Sequence, residues 1–166
     1  LDHNQFGLIT AELNPELLTQ PFQVQTHWYV ITGAACTGKT TLIDSLAGKG
    51  YPVIPESARD YFDAEIARGR TLAEIRRDDA FLQHEIANLQ LKYERSFPPA
   101  KVTFLDRAIP DSLTFFRIFG LDPHEILPEC FHIRYQGVFI LDRLPLHRTK
   151  TLGPEDDAAS DFLDQW

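Results

Sequence analysis

The chain has 166 residues, 43% hydrophobic and 24% charged, the balance of one globular domain with a sizeable core. It excludes intrinsic disorder, collagen and a disulfide-stapled miniprotein. The net charge of −8 argues against a protein that wraps nucleic acid, and no apolar run approaches the ~20 residues that span a bilayer.

Residues 1–26 have mixed polarity and no sustained period, and they read as an N-terminal extension to a domain over 27–166. The run from His27 to Thr32 is aromatic and β-branched, with a continuous apolar core. That is how a strand buried on both faces of a parallel sheet reads. Residues 33–40 read as a loop, and 41–47 as a helix with Leu42, Ile43, Leu46 and Ala47 on one face, stopped by Gly48 or Gly50. Residues 51–54 predict a second short strand ending at Glu56. A helix capped by Ser57 follows, to about Arg68, with Gly69 as its stop. Thr71 to Glu74 is a capping-box pattern, expected to open one long helix that Pro98-Pro99 ends. Residues 102–105 predict a third strand closing on Asp106-Arg107. Pro110 and Asp111 start a helix that Gly120 ends. Residues 121–136 are broken by Pro123 and Pro128 and leave room for a short helix. Residues 138–141 predict a fourth strand closing on Asp142-Arg143, and an acidic tail of helical period follows. Strands alternating with helices predict an α/β fold, a central parallel sheet flanked by helices.

The segment Gly33-Ala34-Ala35-Cys36-Thr37-Gly38-Lys39-Thr40 fits G-x-x-x-x-G-K-[ST] at every fixed position. Its glycines let backbone N–H groups point inward at phosphate oxygens, and the next helix offers unpaired N–H groups and its positive end. Lys39 is expected to reach the β- and γ-phosphates, and the Thr40 hydroxyl to ligate Mg²⁺. The nucleotide-binding residues are therefore Gly33, Ala34, Ala35, Cys36, Thr37, Gly38, Lys39, Thr40 and Thr41. Cys36 occupies a variable position and reads as a filler, not a nucleophile.

Other segments narrow the class. A GTPase would show D-x-x-G and N-K-x-D, and a transporter ATPase Leu-Ser-Gly-Gly; none is present. An oligomeric motor ATPase usually ends its second acidic strand in Asp-Glu, whereas this one ends in Asp106-Arg107. Glu56 closes a strand expected in the same sheet as the loop strand, at the edge where ligands sit in open α/β sheets. There it can take the proton of an attacking hydroxyl; the alternative is a charge for the following helix. Arg59, one turn on, is a partner for Glu56 or for phosphate. Asp106 is the expected Mg²⁺ carboxylate, and Arg107 is expected to meet an anion or a carboxylate. Asp111 reads first as a helix-start charge. Arg143, Arg148 and Lys150 follow the fourth strand, where cations on a closing segment can neutralise a moving phosphoryl group. Asp79 interrupts the apolar seam of the long helix, through a register shift or by facing a substrate cleft. Phe81 and Gln83 beside it offer an aromatic and an amide for a flat ring, against a plainer reading as core and surface.

Cys36 and Cys130 match no zinc spacing and cannot frame a fold, so a reduced cytoplasmic setting is expected. The six His are scattered and read as structural or surface residues. No basic start with an apolar stretch marks a signal peptide.

The phosphate loop, Pro55-Glu56-Ser57-Ala58-Arg59, Leu105-Asp106-Arg107 with Pro110-Asp111-Ser112-Leu113, and residues 138–141 with Arg148 form an ordered set. The set resembles the AAA-domain family typified by the ribosylnicotinamide kinase part of NadR. More distantly it is similar to deoxynucleoside and thymidylate kinases. The resemblance covers about residues 28–166. It implies an ATP- and Mg²⁺-binding, kinase-like phosphate-loop (P-loop) NTPase fold, with Glu56 as base, Arg107 working on phosphates, and Arg143 and Arg148 as lid cations. The fifth strand and closing helix of such folds do not follow Trp166, so the chain, which starts at Leu1 and has no Met, is read as part of a longer product. The expected function is transfer of the ATP γ-phosphoryl to a small hydroxyl acceptor such as a nucleoside. The alternative is a nucleotide switch, binding ATP or GTP, without an acceptor.

Overall fold

The structure, a computed structural model, describes residues 23–142. In chain order these form β1 (Val24–Gln25), β2 (Trp28–Thr32), α1 (Lys39–Gly48), β3 (Val53–Ile54), α2 (Ser57–Ala67), α3 (Leu72–Ile75) and α4 (Asp79–Ser96). Then come β4 (Thr103–Asp106), α5 (Asp111–Ile118), a 3₁₀ turn (Pro123–Glu125), α6 (Leu127–Cys130), β5 (Ile133–Arg134) and β6 (Gly137–Ile140). Four strands make one sheet in the order β3-β4-β2-β6, every pair parallel. With helices flanking that sheet, this is the expected P-loop NTPase fold.

The continuous apolar character of β2 follows from burial on both faces. Trp28 and Val30 pack with Ile54, Leu105, Ala108 and Ile133 on one side. Tyr29 points the other way and stacks on Phe104 of β4 and Phe139 of β6, at centroid distances of 5.5 and 6.1 Å. Gly137 is the register partner of Tyr29, and a Cβ there would lie 3.1 Å from its ring.

A parallel sheet needs a crossover between successive strands, so every strand ends on the same edge. The chain runs from central β2 out to β3, back to β4 between them, and then across to β6. The ends of β2, β3 and β4 thereby converge, although Glu56, Asp106 and the phosphate loop lie far apart in sequence.

Two expectations are corrected. The single long helix is two. Thr71 and Glu74 form the reciprocal capping box, but on a four-residue helix, and Asp78 then caps α4 by accepting from the Phe81 N–H at 2.9 Å. A second capping residue seven positions after the first restarts the helix, which is the register shift at Asp79. Ser57 is the first helical residue of α2, not its cap; Glu56 holds the cap position, but its side chain makes no hydrogen bond to the helix's own N–H groups. Val24–Gln25, within the residues read as an N-terminal extension, pairs in parallel with β5. Neither two-residue strand sits in an apolar run of the kind that marks β3 at residues 51–54, so neither was visible.

Candidate functional site

The loop after β2 folds back on itself through residues that tolerate a left-handed backbone. Gly33 has φ +134°, Gly38 φ +88°, and Cys36 φ +61°. A Cβ on Gly33 would meet the Leu141 carbonyl oxygen at 2.5 Å, so only glycine lets the loop pass the end of β6. Cys36 is exposed, its thiol free. Helix α1 begins at Lys39, two residues earlier than expected, and it differs from α2, α3, α4 and α5. Each of those carries an acidic residue in its first turn; α1 has none, and no side chain caps it. The first-turn N–H groups of Lys39, Thr40 and Thr41 have no carbonyl acceptor within the helix. Thr37 and Lys39 both donate to the inward-turned Ala34 carbonyl, the former at 3.2 Å. Lys39 is buried. Burial first, then the Arg107 guanidinium, hold its ammonium below the ordinary lysine range, while the Asp106, Glu56 and Asp111 charges oppose them.

Asp106 ends β4 opposite Ile31 of β2. Its Oδ2 accepts from the Thr40 hydroxyl at 3.3 Å, and its Oδ1 is buried with no hydrogen-bond partner among the described residues. Burial, then the Glu56 charge, raise its pKa above the usual carboxylate range. An orphaned carboxylate oxygen beside a hydroxyl, at the mouth of an anion cradle, fits a hard divalent cation of the Mg²⁺ kind, which takes one or two protein oxygens and finishes its shell with phosphate and water.

The chain then turns sharply. Arg107 has φ +69°, and its N–H donates to the Ile31 carbonyl at 3.0 Å. Its guanidinium donates to Glu56 Oε1 at 3.1 Å and to Asp111 Oδ1 at 3.4 Å, and lies 5.4 Å from the centre of the Phe115 ring. The expected carboxylate partners are thus met twice. Glu56 pairs with Arg107 and not with Arg59, which is exposed. Asp111 begins α5 as expected, but it does more than charge the helix: it accepts from the Ala108 N–H at 3.0 Å and from the Thr32 hydroxyl.

Beside this cluster lies a cavity of about 580 Å³, within the range of small-molecule sites. Glu56, Arg107 and Asp111 line it on the phosphate-loop side. Phe62 and Phe115 supply aromatic wall, and Asp79 and Gln83 of α4 polar wall. Asp79 therefore faces the cleft as well as marking the register shift. Gln83 is buried, and no hydrogen bond within the described residues occupies its amide. Phe81 is 54% exposed and takes no part. The sequence reading missed Phe62, Phe115 and Gln90, another lining residue. The first two stand four positions after Ala58 and Asp111, one helical turn beyond motif residues, and that spacing could have found them.

Arg143, Arg148 and Lys150 lie outside the described residues. Among the described residues no cluster of three His, Cys, Asp or Glu side chains is placed to hold a metal, and no helix is long and apolar enough to cross a membrane.

The sequence profile of the AAA domain matches residues 28–163, most of the chain. No curated protein matches it.

Proposed function

The chain belongs to the AAA-domain family of P-loop nucleotide-binding proteins, and from that premise we propose that it is a kinase passing the γ-phosphoryl of ATP to a hydroxyl of a small, flat-ringed acceptor of the nucleoside kind. The resemblance of the ordered motifs to the ribosylnicotinamide kinase part of NadR supports this reading. The observation that carries it is the shared wall: the carboxylate–arginine cluster of Glu56, Arg107 and Asp111 flanks the phosphate cradle and also lines the 580 Å³ cavity. A nucleotide switch has no need of a second, roomy pocket opening onto its γ-phosphate end.

In this reading the backbone N–H groups of residues 33–41 receive the β- and γ-phosphates. Lys39 leaves the Ala34 carbonyl for a phosphate oxygen, a stronger, charge-assisted partner. Thr40 and Asp106 would hold Mg²⁺, which supplies charge neutralisation to the phosphates. The acceptor lies between Phe62 and Phe115, with its ring edge at the Gln83 amide and its hydroxyl toward Glu56. That hydroxyl oxygen attacks the γ-phosphorus, and the bond from phosphorus to the β–γ bridging oxygen breaks. ADP leaves with the electron pair, and Glu56 takes the hydroxyl proton. Arg107, already held between two carboxylates, needs only a small rotation to bear on the moving phosphoryl group. Arg148 is the candidate lid cation.

The test is incubation with γ-labelled ATP, Mg²⁺ and a panel of nucleosides, nicotinamide riboside among them. Label is expected in an acceptor, and Glu56→Gln is expected to slow transfer by about 10²–10⁴-fold with nucleotide binding kept. Label appearing only as inorganic phosphate, at a rate indifferent to Glu56→Gln, would reject the kinase in favour of the switch.

A further inference from the structure

Glu94 of α4 is 2% exposed and does not line the cavity, yet it is tied to the site. Its Oε1 accepts from Gln90 Nε2 at 2.8 Å and from the Ile109 N–H at 2.9 Å. Its Oε2 accepts from the Tyr135 hydroxyl at 2.7 Å. Three neutral donors converge on one buried carboxyl group, from α4, from the turn after β4, and from the link between β5 and β6. Burial raises its pKa above the usual carboxylate range, and the three hydrogen bonds oppose that by favouring the charged form. A carboxylate is a costly way to fill a core, where a well-packed apolar side chain would serve.

What the carboxylate holds is the turn that presents Arg107. A non-glycine residue in the left-handed region persists only where its surroundings over-determine it. On one side of Arg107 the restraint is its own N–H on the Ile31 carbonyl. On the other, Asp111 accepts from the Ala108 N–H at 3.0 Å and, two residues along from Arg107, Glu94 accepts from the Ile109 N–H. Gln90, fixed by the same carboxylate, stands 3.5 Å from the Arg107 carbonyl. With both sides pinned, the guanidinium is aimed at Glu56 and Asp111.

We infer that Glu94 is a positioning residue for Arg107: its carboxylate locks the turn over 107–110 and thereby the guanidinium between Glu56 and Asp111. The consequence for phosphoryl transfer rests on the kinase reading; the lock on the turn does not.

Amide hydrogen exchange followed by mass spectrometry tests the lock without activity. In Glu94→Gln, exchange over residues 105–113 is expected to quicken about ten-fold, the weight of one strong hydrogen bond, with residues 33–41 unchanged. Wild-type exchange over 105–113, or an equal acceleration everywhere, overturns the inference. If that variant does not fold, Tyr135→Phe removes one donor and leaves the carboxyl group. A smaller acceleration in the same segment is expected, and none, or a global one, again overturns it. In the transfer assay, Glu94→Gln is expected to lower kcat more than it raises the acceptor KM, and to add nothing in an Arg107→Gln background. Additive losses would place Glu94 outside the action of Arg107. If the wild-type protein transfers no phosphoryl group, the kinase reading fails and the exchange result alone decides the role of Glu94.

Discussion

The Thr40 hydroxyl donates to Asp106 across 3.3 Å, between residues 66 positions apart in the chain. One ends the phosphate loop and the other ends the neighbouring strand, and the parallel pairing of Ile31 with Asp106 brings them together. The second Asp106 oxygen is buried and has no hydrogen-bond partner among the described residues. An unmet carboxylate of this kind is poor for stability and suited to a cation.

Asp106→Asn separates those two properties. Burial raises the Asp106 pKa, so the native state holds this proton more tightly than the unfolded chain does. The protonated form favours folding at low pH, and that contribution is lost as pH rises from about 4 through the raised native value. At neutral pH the ligand-free variant is expected to melt a few degrees above the wild type, and its stability to fall less as pH rises. It should also lose the part of the ATP-induced stabilisation that depends on Mg²⁺. Thermal melts from pH 4 to 8, with and without Mg²⁺-ATP, measure both; a lower melting point with the Mg²⁺ response intact would remove Asp106 from the metal site.

Lys39→Ala addresses the cradle. The ammonium is buried and its pKa depressed, so truncation is expected to leave the ligand-free melting point unchanged or slightly raised. ATP at a hundred times its Kd should stabilise the wild-type protein by about 2.7 kcal/mol. The variant is expected to show no shift, and a retained shift in differential scanning fluorimetry would put the nucleotide elsewhere.

Gly33→Ala tests the contact between loop and β6. The left-handed φ and the 2.5 Å approach of a Cβ to the Leu141 oxygen combine conformational strain with a clash against backbone. The expected loss is on the order of 1–3 kcal/mol from the conformation alone, more with the clash. Gly50→Ala also changes a positive-φ glycine, but one with nothing within 4 Å of its Cβ. Urea denaturation should show the smaller loss at Gly50, and equal losses would mean the Leu141 contact is unimportant.

His84 provides a pH-dependent tether. Its Nε2 meets Glu125 at 2.7 Å and its Nδ1 the Ala80 carbonyl at 2.7 Å. The Glu125 hydrogen bond, followed by the Ala80 one, raises the pKa of the ring. For a raised histidine the stabilisation is fully present below about 6.5 and fades as pH rises through the native value. Both partners are well exposed, so the effect should stay within about 1 kcal/mol. His84→Gln is expected to flatten the stability profile between pH 6 and 8 while leaving the higher end unchanged, as melts across that window would show.

The phosphate loop, the strand-end carboxylates and the alternation of strands with helices were legible in the sequence, because each is a local pattern of residue type and spacing. Lys39, Glu56, Asp106 and Arg107 were found that way, and all four meet at one edge of the sheet. The two-part helix was half legible: Thr71 and Glu74 announce a start, but nothing before Asp78 outweighs the continuing helical period. Arg107 as the partner of Glu56, in place of Arg59, was out of reach, since the sequence shows Arg59 three residues from Glu56 and says nothing of β4 lying beside β3.

The order of residues alone therefore determined the groups on offer: a glycine-rich loop of the phosphate-binding pattern and two strand-end carboxylates, Asp106 and Glu56, to which the proposed function gives a metal and a proton. Those depend on backbone freedom, charge and distance along the chain. Strand order, and what it makes neighbours of, was decided by the tertiary structure. Placing β4 between β3 and β2 joins Asp106 to Thr40 and Arg107 to Glu56, opens the cavity behind them, and sets Glu94 under the turn that follows, because packing against the sheet selects contacts no local pattern encodes.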